Sequence, residues 1–270
     1  MSQEVEQGLR VPRQADTLEQ FAPRLCGLPG WANYSSGQLW LALKEITRAV
    51  VANEEAGRNW ELMGLIFRDL AKPKSAINAF EQASLLVPLH PFSSLCLAEC
   101  YGSIGQRELA RDLYLVQAES EQVLASIDLM LLVASGLEGV NEPHLAMELC
   151  RQASQLDPDS GQAAFDMCFY ASRCGAQPAL VESLAWRAVE LEPRNVHFRI
   201  GLASLLIRMH RFNKAYWVVS SLTEYQIGEI SCECCLERIE RLFEFRGDEG
   251  RAAVCRQRVQ FLSRENSESR

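Results

Sequence analysis

The chain has 270 residues, 48% of them hydrophobic and 23% charged, which suits a soluble protein with a large core or with repeats that share one. Its net charge of −8 argues against a nucleic-acid groove, which requires a basic face. No uninterrupted apolar run reaches transmembrane length, so no membrane partner is expected.

Residues 1–30 mix acids with arginines and lack an apolar leader segment, and the sequence therefore predicts a cytoplasmic protein. Ten cysteines scattered through helix-like stretches read as reduced, buried thiols.

Residues 1–37 form an N-terminal segment. Its first fifteen residues carry no pattern, whereas 16–25, with Leu18, Phe21 and Leu25 on one face, predicts a short amphipathic helix. GLPGWANYSSG at 27–37 is rich in turn formers and is a poor helix. Ala42, Ile46 and Ala49 then form a stripe that predicts a capping helix over 38–54.

The next stretch, WELMGLIFRDLAKPKSAINAFEQASLLVP at 60–88, is the most informative. Trp60, Met63, Gly64 and Phe67 recur at i, i+3, i+4 and i+7, on one face of a helix. Ala71-Lys72-Pro73 breaks the run, and Pro73 suits the first position of a second helix, where a missing N–H costs nothing. Ala76, Phe80 and Ala83 form the second stripe, which Pro88 ends.

This arrangement resembles the tetratricopeptide repeat (TPR), in which W-x₂-L-G-x₂-Y, A-x₃-F and P recur with a period of about 34 residues. Only Met63 and Phe67 differ from that pattern. Taking 57–90 as one unit, 91–124 places Ala98, Tyr101, Ala110 and Tyr114 at the diagnostic positions. Further units fall at 127–160, 162–195 (weak in its first helix), 196–229 and 233–266, followed by a tail at 267–270 expected to be disordered. Pro73, Pro143 and Pro178 share one position, as do the closing turns LLVP, QLDP and ELEP. The expected fold is all-α: a right-handed α-solenoid of stacked antiparallel helix pairs, about thirteen helices, over 38–266.

The resemblance implies a binding module whose concave groove is lined by the first helix of each unit, at its second, fifth and ninth positions. Counted from the unit starts above, these give an apolar strip of Leu65, Phe92, Leu95, Leu131, Tyr170 and Ile200 edged by acids such as Glu99. Such a strip suits an amphipathic helix or extended peptide with apolar anchors and a few basic residues. The same side chains could instead pack between neighbouring first helices. Glu61 and Leu65 cannot hold a carboxylate, which excludes the clamp by which some TPR proteins take the C-termini of heat-shock chaperones.

No catalytic chemistry is legible. P-loop, G-x-S-x-G and H-E-x-x-H motifs are missing, and His90, His144 and His210 fall at bends or helix starts. Cys232, Cys234 and Cys235 in SCECCLE lack a second pair or a His nearby in sequence, so they read as packing at a helix start, with no metal and no cofactor. The arginines of the last unit are diluted by Glu244, Asp248 and Glu249 and read as a solvated face. The sequence thus predicts a non-catalytic scaffold for a protein or peptide partner. A chaperone for an exported or secretion-system client and a non-catalytic subunit of an enzyme complex are the alternatives.

Overall fold

A computed structural model describes the backbone of residues 23–268 and the side chains of residues 24–264. The expectations for residues 1–22 and for 269–270 lie outside the described residues. Two compact units meet in the sequence, one ending at Leu156 and the other beginning at Asp157.

The first unit opens with a 3-10 turn at Pro23–Leu25 and a one-turn helix, α1 (Trp31–Ser35). This turn-rich segment becomes helical because tertiary contacts outweigh its weak propensity. Trp31 and Tyr34 are buried, and the Tyr34 hydroxyl donates to Asp69 at 2.8 Å. Then follow α2 (Leu39–Ala52), α3 (Gly57–Asp69), α4 (Pro73–Leu86), α5 (Pro91–Ser103), α6 (Arg107–Ala118), the single turn α7 (Glu121–Leu124), α8 (Ile127–Gly139) and α9 (Pro143–Leu156).

The second unit contains α10 (Gly161–Arg173), α11 (Pro178–Leu191), α12 (Val196–Arg208), α13 (Phe212–Val219), α14 (Glu224–Gly228), α15 (Glu233–Phe245) and α16 (Glu249–Glu268). Among the described residues the chain is wholly helical, with thirteen helices of eight or more residues. Short α1, α7 and α14 come in addition to the expected number. α16 continues to Glu268, two residues past the expected helix end.

Each unit is a stack of antiparallel helix pairs, the construction of an α-solenoid. α3 packs on α4, α5 on α6 and α8 on α9, while α4–α5, α5–α8 and α6–α8 contacts join successive pairs. In the second unit α10–α11, α12–α13 and α15–α16 are the pairs, and α11–α12 and α12–α15 join them.

Local chemistry explains where the helices begin and end. Pro73, Pro91, Pro143 and Pro178 occupy first helical positions. Ser126, Ser160 and Asn195 accept hydrogen bonds from first-turn N–H groups of the helices that follow them. Thr223 and Gln226 form a capping box on α14.

All six pairs turn in the same way. The residue two places beyond the first helix is left-handed: Ala71, Gly105, Asn141, Gly175, His210 and Gly247. In each case the next N–H bonds back to a carbonyl five residues earlier, as Lys72 does to Phe67 and Gln106 to Tyr101. This Schellman closure satisfies carbonyls that the helix end would otherwise leave without donors.

Small residues set the distance within and between pairs. Ala76, Ala83, Ala110, Ala146, Ala153, Ala185 and Ala188 are all buried on second helices. Gly64 lies under Phe80 and Gly136 under Tyr114. Phe80, Phe92, Phe198 and Phe243 fill the interiors and are fully buried.

Candidate functional site

First helices α3, α5 and α8 carry the expected strip of the first unit. Leu65, Phe92 and Leu95 are fully buried, Leu131 is 5% exposed, and Glu99 is half-buried. The apolar members thus serve as packing in this structure, and Glu99 is the member that reaches the surface.

The polar groups beside the strip are engaged within the unit. Glu61 is buried, and its Oε1 accepts from the His90 N–H at 3.0 Å, holding the start of α5 against α3. His90 in turn caps α5 through Nδ1, accepting from Phe92 N–H. The buried Arg68 donates to Asp69 and to Cys96 Sγ and lies 5.6 Å from the Phe92 ring. Burial works against its charge, but Cys96, Asp69 and Tyr34 hold the guanidinium firmly protonated. Glu99, by contrast, makes no hydrogen bond or ion pair among the described residues. Burial pushes the neighbouring Cys100 thiol up to about 12, and the Glu99 charge adds to that shift.

In the second unit Tyr170 and Ile200 are 3% and 4% exposed. α10 begins at Gly161, and its turn into α11 carries one residue more than the turns at 71–73 and 141–143. Counted from Gly161, the fifth and ninth positions are Phe165 and Phe169, both half-buried, with Tyr170 one place further and T-stacked on Phe169 at 5.2 Å. Counting back from Pro178, as the sequence invites, misses this shift. Phe165 stacks on Phe198 at 4.7 Å and meets the His197 ring at 4.9 Å. Asp166 is pushed up to about 7 by burial, against the lowering effect of the Gln162 amide, which donates to it at 2.7 Å.

The three cysteines at the start of α15 converge. Cys232 is the N-cap, Cys234 and Cys235 lie in the first turn, and all three Sγ atoms fall within 4.8 Å of one another. Cys232 and Cys234 Sγ are 3.0 Å apart. Hydrogen bonding from Cys235, opposed by burial and aided by Cys234, lowers the Cys232 pKa to about 5. Burial first, then the hydrogen bond to Cys232 and the Cys232 charge, raises Cys234. The Cys232 hydrogen bond raises Cys235. Sequence spacing gave no sign that His197 would stand near this cluster, yet the Cys232 charge acts on its imidazole, opposing the lowering caused by burial.

Comparison with solved structures identifies the class. The C-terminal part of a TPR repeat-containing protein from Cytophaga hutchinsonii superposes with a TM-score of 0.58 at 12% identity, covering 92% of this chain and 93% of that one. PilF of Pseudomonas aeruginosa gives 0.55 at 15% identity, covering 77% and 92%. YrrB, described as a TPR protein with an unusual peptide-binding site, gives 0.51 at 14%, covering 80% and 99%. No protein-family model and no curated protein sequence matches the chain. The fold is that of tetratricopeptide-repeat proteins. Among the described residues no helix is long and apolar enough to cross a membrane.

Proposed function

We propose that this chain is a non-catalytic protein-interaction scaffold that takes a helix or extended peptide on the face built by its first helices. The observation that carries this reading is Glu99. It is a half-buried carboxylate at the ninth position of α5, without a hydrogen bond or ion pair among the described residues, while Glu61 and Arg68 beside it are committed. A half-buried acid in such a setting favours a basic group brought by a partner, because a charge-assisted bond there gains more than one in open water.

Leu65, Phe92, Leu95 and Leu131 form the apolar backing of that surface in the first unit. Tyr170 and Ile200, with Phe165 and Phe169, offer the corresponding positions of the second. The partner is then a protein or peptide with basic residues among apolar anchors, and nucleic acid, membrane and the chaperone carboxylate are not ligands of this face. Four of the cysteines are buried as small apolar groups, which suits a reducing compartment such as the cytoplasm.

Affinity purification of the full chain from its native organism tests the reading. A stable complex member, lost on Glu99→Gln, supports a scaffold. An exported client would instead favour the chaperone alternative, and turnover of a captured small molecule would overturn the non-catalytic reading.

A further inference from the structure

The three thiols at the start of α15 are the one group of three or more metal-ligating side chains that converge among the described residues. They are half-buried, in contrast to the enclosed Cys96, Cys150 and Cys255, so solvent and solutes have access to them. We propose that Cys232, Cys234 and Cys235, completed by His197, bind one zinc ion where the starts of α12 and α15 meet.

The geometry suits that ion. Thiolates at the usual Zn–S length of about 2.3 Å stand about 3.8 Å apart around a tetrahedral centre. The Cys232–Cys234 Sγ separation is 3.0 Å and no separation among the three exceeds 4.8 Å, so small side-chain rotations bring the three sulfurs onto one ion. The positions also explain the convergence. An N-cap side chain folds back over the first turn of its helix, and Cys234 and Cys235 project from that same turn. The helix N-terminus favours negative charge, which stabilises the thiolates that a metal needs.

The fourth ligand comes from the neighbouring pair. His197 is the second residue of α12, the place that Cys234 holds on α15, and the two helices pack against each other. Its ring packs on Phe165 at 4.9 Å and lies outside the cluster in which the three sulfurs fall within 4.8 Å of one another, so a turn of the His197 side chain has to carry it onto the ion. A Cys₃His set is a closed, structural zinc donor set, and its soft sulfurs select against magnesium and calcium. Cys234 also lines an open pocket with Phe212, Glu237, Arg241 and Phe245, which supplies an entry path. Binding releases the remaining thiol protons to solvent and ties α15 to α12.

The test is a zinc titration of the reduced, full-length protein against a chromophoric chelator, with a parallel cobalt titration read by absorption. One equivalent should bind, cobalt should show the thiolate charge-transfer and tetrahedral bands, and zinc should raise the melting temperature. Cys234→Ser should weaken binding at least about 100-fold, more than loss of an outer-shell partner costs. His197→Ala should weaken it by about 10-fold or more, whereas Cys150→Ser should leave it unchanged. Melting curves without metal establish that each variant is folded. Failure of the folded, reduced parent to take up an equivalent of zinc overturns the proposal. So does uptake indifferent to Cys234→Ser or His197→Ala, or a Cys232–Cys234 disulfide that persists under reductant.

Discussion

Gly64 on α3 lies directly under the ring of Phe80 on α4: a Cβ added at Gly64 would stand 2.6 Å from Phe80 Cδ1. Both residues are buried, so the ring has no solvent to move into. Substituting Gly64 sets two effects against each other. Removing a helical glycine gains about 0.5–1 kcal/mol of backbone entropy, whereas overpacking a close contact costs about 1–3 kcal/mol. For Gly64→Leu the clash dominates, and the melting temperature should fall. An unchanged value would mean that the two helices do not approach here.

The common turn makes a prediction of opposite sign. Ala71 has φ of 55°, in the region that costs a residue with a Cβ about 1–2 kcal/mol and costs glycine little. Ala71→Gly should therefore raise stability, by less than that full amount because glycine also has more freedom to lose from the unfolded chain. Gly105→Ala, at the equivalent turn, should lower it. Paired denaturant titrations read both, and equal responses of the two variants would refute the shared left-handed turn.

These turns also show what the sequence displays and what it hides. Gly105 and Gly247 mark their bends, and Pro73, Pro143 and Pro178 mark the helices that follow. Asn141 and His210 belong to the residue types that tolerate this conformation best after glycine and signal it weakly, whereas Ala71 adopts it without a local signal, because the hydrogen bonds of the turn impose it. The helix pairs were legible because burial repeats with the helical period. The extra residue between Gly175 and Pro178 was not, since a loop can lengthen without disturbing either stripe. Nor was the packing of α12, which begins beside His197, against α15, which begins at the cysteines, because it joins segments more than thirty residues apart in sequence. The strip residues had the right polarity for either a groove or a core, and spacing alone could not separate the two.

Asp166 should give the second unit a measurable pH dependence. Its folded pKa, about 7, lies above the ordinary value of 3.8, so the folded state holds its proton more tightly than the unfolded state does. Its contribution to stability is complete below about 3.8 and is lost as pH rises to about 7. Asp166→Asn keeps an acceptor for the Gln162 amide and removes the charge. The variant should gain on the parent steadily across that window and hold a constant lead above it. Parallel melting curves at several pH values would show this, and a difference independent of pH would place the Asp166 carboxylate in contact with water.

The decisive comparison for function is between Glu99 and Leu131. Leu131 is 5% exposed, so Leu131→Glu places an unpaired carboxylate in the interior and should destabilise the first unit by several kcal/mol. Any loss of partner capture by that variant would follow from damage to the fold. Glu99→Gln differs, because the side chain is half-buried and makes no hydrogen bond or ion pair among the described residues that the amide would break. Its melting temperature should stay close to that of the parent. Capture of a basic partner should nevertheless weaken, because a hydrogen bond to a charged group contributes roughly 1.5–3 kcal/mol, or about 10-fold to 150-fold in affinity. High salt should reduce capture by the parent more than capture by the variant. If Glu99→Gln captures the partner as well as the parent at every salt concentration, the first-helix face of this unit is not where the partner binds.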